Sequence, residues 1–395
     1  MKPGQGIMRR ESSFIKAAGF RTRPRRTFAS MDKPPPKAPV PSIRPSLLIV
    51  MRLSDPRLQH ALSVALAVPD LPDLTELWSW AARDGDAAPE SCPGISKELR
   101  DRLQDLHRTG SVVEELRRAE LLSLELIAWT EDHYPAALRD LRAPPPVLYL
   151  RGRGPWPPVE PVTIVGARRS TLSGRDFAAR LGEDVVLRGA SVLSGLALGI
   201  DQAALAGALR GGGNVYAVLA CGVDRVYPPG AERMARDILE RGRLISEMPL
   251  GIPPLRHHFP RRNRILAAFP RAVLIVEADL RSGSLITAGH ALELGREVFA
   301  VPGSIDQPTS RGTNRLIRDG AQPLLECEDL DFLLPPRPRL KSNDALLACL
   351  KSPRTAEDAA KELSRPMDEI LLRLVDLELD GKVERLGVGL YRARS

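Results

Sequence analysis

Short runs of β-branched and aliphatic residues recur through the middle of the chain. They are VTIVG (162–166), SVLSG (191–195), VYAVLAC (215–221), RLISE (243–247), AVLIVEA (272–278) and EVFAVPG (297–303). Stretches with helical apolar spacing separate them, such as GRDFAARLGEDVVLRG and SLITAGHALELGR. A strand that is apolar at successive positions, rather than at alternate ones, is covered on both faces. Strands of that kind alternating with amphipathic helices predict a parallel, doubly wound, Rossmann-like α/β sheet. In such a sheet ligands bind outside the carboxyl ends of the strands.

The pattern differs on either side of this core. Residues 1–49 form a basic and proline-rich tail, with MDKPPPKAPVPSIRP at 31–45 reading as a linker. Residues 50–120 read as a small helical domain: RLQHALSVALA has helical spacing, and ISKELRDRLQDLHRTG stops at Gly110. PESCPGISKELRDRL has the form of a helix-hairpin-helix or SAM-like element, although a purely structural helical domain is the preferred reading. The Rossmann-like domain is expected over 121–333 and a second proline-rich linker over 334–341. Residues 342–395 follow as three helices and a hairpin, the composition of a winged helix, with Thr355 and Asp358 as a capping pair.

Charge changes this picture only locally. The 395 residues carry a net +8. The first thirty hold eight bases against Glu11 alone, so the rest of the chain is close to neutral. An argument for nucleic acid must therefore rest on clusters. One such cluster exists: from Met248 to Val276 there is no acid, while Arg256, Arg261, Arg262, Arg264 and Arg271 occur. In the last 55 residues, by contrast, ten bases balance ten acids, and the expected recognition helix 366–380 holds five acids and only Arg373 as a base.

No lysine lies between Lys97 and Lys341, which removes a P-loop or Schiff-base lysine from the middle of the chain. The four cysteines are widely spaced without a CxxC pair, as expected of small buried side chains in a reducing cytoplasm. The longest apolar run near the start, LLIVM at 47–51, is too short to span a membrane.

The loops after the strands share one chemistry. TIVGARRSTLSG begins like a dinucleotide fingerprint, but Arg168 and Arg169 stand where further glycines belong. Ser194 and Gly195 follow the second strand, and RSGS at 281–284 opens a helix whose N–H groups suit an anion. Singly, a glycine after a strand often only makes a turn, and an arginine often only meets water. With the arginine-rich loop MPLGIPPLRHHFPRRNR at 248–264 after the fourth strand, four such loops on one rim point to an anion site. Asp201, Glu247 and Glu277 lie near that rim, but no nucleophile elbow or acid–base pair accompanies them. No Cys or carboxylate stands at metal spacing near His257 and His258 in the sequence, so they read as surface residues.

IVGARRSTLSG, SGLALGID, VLACGVDRVYPP, SEMPLG, FPRRNRILAAF, VEADLRSGSLITA and VPGSIDQPTSRGTNRLIRDGA resemble, in that order, the motifs of the bacterial DNA-processing protein A (DprA/Smf) family. YPAALRDLRAPPPVLYLRG at 134–152 does so too, and the likeness covers roughly 125–325. It implies a cytoplasmic single-stranded DNA-binding protein of natural transformation. Such a protein protects incoming strands, helps load the RecA recombinase, acts as a homodimer, and is neither an enzyme nor dependent on a cofactor. The resemblance carries the strand pocket to Gly166, Arg168, Ser194, Gly195, Arg262, Asn263, Arg264, Gly283, Ser284 and Thr287. Arg169, Arg256 and Arg261 add charge, Arg256 or Arg261 replacing a lysine used by some members. Phe259 is a candidate for base stacking, and equally for packing in the core or at the rim. A histidine of the family's GIDxxAH motif is Leu205 here. The competing reading is a Rossmann-type nucleotide hydrolase of phosphoribohydrolase kind, which needs Glu247 or Glu277 free to act.

Overall fold

The computed structural model describes residues 56–67, 89–92, 95–336, 345–379, 381–387 and 389–394. The expected basic tail, the first linker and residues 337–344 of the second linker region lie outside the described residues, as do 93–94 of the helix-hairpin-helix candidate.

Nine strands form one sheet: β1 (Glu125–Ala128), β2 (Val147–Gly152), β3 (Pro161–Val165), β4 (Ser191–Ser194), β5 (Val215–Val218), β6 (Arg243–Ser246), β7 (Ala272–Ile275), β8 (Glu297–Ala300) and β9 (Gln322–Pro323), in the order β1-β2-β6-β5-β4-β3-β7-β8-β9. From β6 to β9 all neighbours are parallel. The direction of travel reverses at β3, which places the switch-point crevice at the carboxyl ends of β3, β4 and β7. The edge is different: β2 runs antiparallel to both β6 and β1. The end of β2 and the start of β3 then lie at the same end of the sheet, so no crossover helix is needed between them.

Side chains alternate between two apolar layers. Val162, Ile164, Val192, Val215, Ala217 and Leu274 face α5 (Leu172–Leu187), α6 (Ile200–Arg210) and α7 (Glu232–Arg241). Val165, Leu193, Tyr216, Val218 and Ile275 face α8 (His258–Ala268) and α9 (Gly283–Glu293). Helices α5 and α6 touch backbone to backbone. A Cβ on Gly207 would overlap the Ala179 carbonyl, and one on Gly182 the Ala204 carbonyl. Leu205, in place of the family histidine, is fully buried in this layer.

Among the described residues three α-helices precede the sheet: α1 (Pro56–Ala67), α2 (Lys97–Arg108) and α3 (Ser111–Leu121). They share a core with its β1–β2 edge, where Leu58, Leu62, Val112 and Leu116 pack on Leu126, Val147 and Tyr149. The short α4 (Ala136–Arg139) links β1 and β2, and α10 (Arg311–Arg318) precedes β9. None of the four cysteines forms a disulfide, and three are buried. Among the described residues no helix is long and apolar enough to cross a membrane.

Beyond residue 344 come α11 (Ala345–Cys349), β10 (Arg354–Thr355), α12 (Ala356–Leu363), α13 (Met367–Leu379), β11 (Val383–Gly387) and β12 (Leu390–Ala393). The strands form a separate sheet, β10-β12-β11. Thr355 caps α12, its hydroxyl accepting from the Asp358 N–H at 3.1 Å. Leu346, Leu350, Ile370, Leu374, Leu377 and Tyr391 give this module a core of its own.

Candidate functional site

The carboxyl ends of β3, β4, β5 and β7 open onto one rim. The segment read as a continuous loop, 248–264, turns helical at His258, so Arg261, Arg262 and Arg264 stand on α8 and point in different directions.

Arg262 points inward. It is 4% exposed and sits beneath the loop after β4. Its Nη1 donates to the Gly195 carbonyl at 2.9 Å and, by a short contact, to the Val218 carbonyl. Its Nε donates to Asn263 Oδ1 at 3.2 Å, and Asn263 Nδ2 donates to the Gly283 carbonyl at 3.1 Å. Asp201, at the start of α6 and equally buried, accepts the Gly195 N–H at 3.0 Å. It also draws on the N–H groups of Ala197 and Gly166. The Gly195 peptide is thus clamped on both sides, by Arg262 at its oxygen and Asp201 at its nitrogen. Any Cβ on Gly195 would fall within the guanidinium. Burial lowers the Arg262 pKa to about 10, against the pull of Asp201, and it raises that of Asp201. Arg262 therefore remains charged at neutral pH.

This geometry changes the roles expected of several residues. The N–H groups of Gly166 and Gly195 are taken by Asp201 and do not face an incoming anion. Ser194 is fully buried and donates from Oγ to the Ile164 carbonyl at 2.6 Å. Thr287 is 1% exposed, and Asn263 is held between Arg262 and Gly283. Arg264 and Arg261 converge on the buried carboxylate of Glu247, Arg261 at 3.1 Å and Arg264 by a short ion pair. Burial lowers the pKa of Arg264, partly offset by Glu247.

A different set faces solvent. Arg168, Arg169 and Arg256 are exposed, as are Gly283 at the first turn of α9 and Arg281 just before it. Ser282 caps α9, and its hydroxyl shares a 2.7 Å hydrogen bond with that of the buried Ser284. The Arg168 guanidinium lies over the Phe259 ring, 4.9 Å from its centre. Phe259 also meets the exposed ring of Tyr227 edge-on at 5.7 Å. Positive charge and an aromatic pair therefore share one patch. Tyr227 and Arg281 were not singled out in the sequence. An aromatic before a proline pair in the loop after β5, and a base next to a helix N-terminus, were the available signals. His258, by contrast, is buried with its Nδ1 3.2 Å from the Pro253 carbonyl, and burial lowers its pKa.

Glu247 and Glu277, either of which a hydrolase would need free, are both engaged. Glu247 holds Arg261 and Arg264. Glu277 accepts the Thr171 N–H at 3.0 Å and its hydroxyl at 2.5 Å, fixing the start of α5.

A family model described as DNA recombination-mediator protein A matches residues 125–333, more than half of the chain. The chain belongs to this family. Protein Smf of Escherichia coli (strain K12) is 34% identical over 344 residues, covering 82% of this chain and 92% of its own length. DNA processing protein DprA of Streptococcus pneumoniae (strain R6) is 38% identical over 204 residues, covering 51% of this chain and 71% of its own. The X-ray structure of DNA processing protein A from Streptococcus pneumoniae superposes with a TM-score of 0.60 at 28% identity, covering 69% of this chain and 94% of that one. The matched region holds the whole Rossmann-like sheet and the rim described above.

Proposed function

We propose that the rim binds single-stranded DNA and does no chemistry on it. The observation that carries this reading is the Arg168–Phe259–Tyr227 patch. Its exposed cation, the exposed Tyr227 ring and the half-buried Phe259 ring can meet phosphate and base together, while Arg169, Arg256, Arg281 and the first turn of α9 extend positive charge along the rim. Phosphates spaced along a strand suit separated arginines, and exposed rings suit unstacked bases. The buried residues Asp201, Arg262, Asn263 and Ser194 act in this reading as positioning residues, and Arg261 and Arg264 lock α8 to β6 through Glu247. Family membership supports a role in natural transformation, with delivery of the bound strand to a RecA-class recombinase by a homodimer.

The expected result is tighter binding to single-stranded than to duplex oligonucleotides, with little sequence choice. Its logarithmic salt dependence should have a slope of about −0.7 per phosphate neutralised. Fluorescence anisotropy at several salt concentrations measures both. Equal affinity for duplex, or binding insensitive to salt, contradicts the proposal. Release of free base from nucleoside monophosphates would favour the hydrolase instead, and the engagement of Glu247 and Glu277 speaks against it.

The module beyond residue 344 is expected to contribute little to this binding. Its helix α13 carries Asp368, Glu369, Asp376 and Glu378 with only Arg373, a balance that repels phosphate. A chain ending at Pro335 should retain most of the strand affinity, and a fragment of residues 340–395 should show none at physiological salt. Loss of strand binding on truncation would transfer the site to this module.

A further inference from the structure

Helix α13 is apolar on two faces, and its own module uses only one. Ile370, Leu374 and Leu377 are buried in the core. Met367, Leu371 and Val375 follow one another at four-residue spacing on another face, with Leu372 and Leu379 beside them. They are 38%, 44%, 53%, 71% and 82% exposed, respectively. At 3.6 residues per turn the five fall within an arc of about 140°, too continuous for scattered surface side chains.

The charges on that arc all have one sign. Asp368 and Glu378 lie within it, both exposed and neither paired among the described residues. Arg373, the only base of the helix, projects from the opposite side, where it pairs with Asp376. The nearby Arg365 is bound to Glu369 at 2.7 Å. The charges left free beside the apolar stripe are therefore acidic.

We propose that this face of α13 docks an amphipathic helix of a partner protein, with the apolar side of that helix flanked by lysine or arginine. Its apolar side covers Leu371, Leu372 and Val375, and its basic flanks meet Asp368 and Glu378. A second copy of α13 fits less well. Antiparallel pairing would bring Asp368 of one helix towards Glu378 of the other at both ends. Duplex DNA is disfavoured by the same acids and by the apolar surface between them. The inference is independent of strand binding at the rim, because the two surfaces share no residue.

The test uses the full chain and two synthetic helical peptides with identical leucine faces, one with lysine flanks and one with glutamate flanks. The lysine peptide should bind at least about tenfold more tightly, and the difference should shrink as salt is raised. Val375→Lys should abolish its binding, and Glu378→Lys alone should reduce the preference. Both sites are exposed, so thermal unfolding should change little, and strand affinity at the rim should not change. No binding of either peptide, equal binding of both, or unaltered binding to Val375→Lys would overturn the proposal. So would a concentration-dependent dimer that Val375→Lys dissolves, or a duplex oligonucleotide bound through the same face.

Discussion

Arg262→Ala is expected to unfold the rim rather than merely discharge it. The substitution leaves the carbonyls of Gly195 and Val218 without their donor and the buried carboxylate of Asp201 without a countercharge. Removing one member of a buried charged arrangement costs about 3–5 kcal/mol. For a domain of this size that lowers the melting temperature by roughly 10 °C. Arg262→Lys keeps the charge but cannot hold two carbonyls and Asn263 at once, so its melting temperature should fall between the two. Thermal unfolding followed by circular dichroism measures all three proteins. An unchanged melting temperature with lost DNA affinity would make Arg262 a direct ligand. Arg264→Ala belongs to the same class. Its loss leaves Glu247, 1% exposed, with Arg261 alone. It too should destabilise, although a base in a polar segment after a strand reads from sequence as a free surface ligand.

That contrast marks where the sequence was legible and where it was not. The parallel strands were legible because burial on both faces makes every position apolar, and a run such as AVLIV has no competing explanation. The rim followed, since the loops after parallel strands must share one end of the sheet. The direction of β2 was not legible: VLYL is apolar whichever way it runs, and only the short connection to β3 reveals it. Nor was the fate of each arginine. RRNR places cations one and three residues apart, and their destinations depend on where the helix begins. With α8 starting at His258, Arg261 and Arg264 share the face towards Glu247, while Arg262 turns beneath Gly195. The role of Asp201 was hidden for a related reason. Its partners are backbone N–H groups, those of Gly195 and Ala197 in the loop before its own helix and that of Gly166 after the neighbouring strand β3, and such contacts leave no trace in side-chain pattern.

Arg168→Ala and Phe259→Ala should act on DNA and spare the fold. Arg168 is exposed and, apart from the Phe259 ring, its side chain has no partner among the described residues that its loss would orphan, so its effect on stability should stay within about 0.5 kcal/mol. Losing a charge-assisted phosphate contact should weaken binding by about 1.5–3 kcal/mol, roughly tenfold to a hundredfold in Kd. Loss of the Phe259 ring removes a stacking surface worth about 1–3 kcal/mol per base. The two effects should not add. The guanidinium sits over the ring, so Phe259→Ala also frees Arg168 from its resting place, and the double variant should lose less than the sum. Anisotropy titrations of the four proteins with one oligonucleotide at fixed salt close this cycle. Full additivity would mean that the two residues touch DNA as strangers and that the 4.9 Å contact is incidental. Wild-type affinity in both single variants would remove the patch from the site altogether, leaving Arg169, Arg256 and Arg281 to account for any binding. A loss confined to Arg168→Ala would keep the phosphate contact and discard the stacking, with Tyr227 and Phe259 then serving only to hold the loop after β5 against α8.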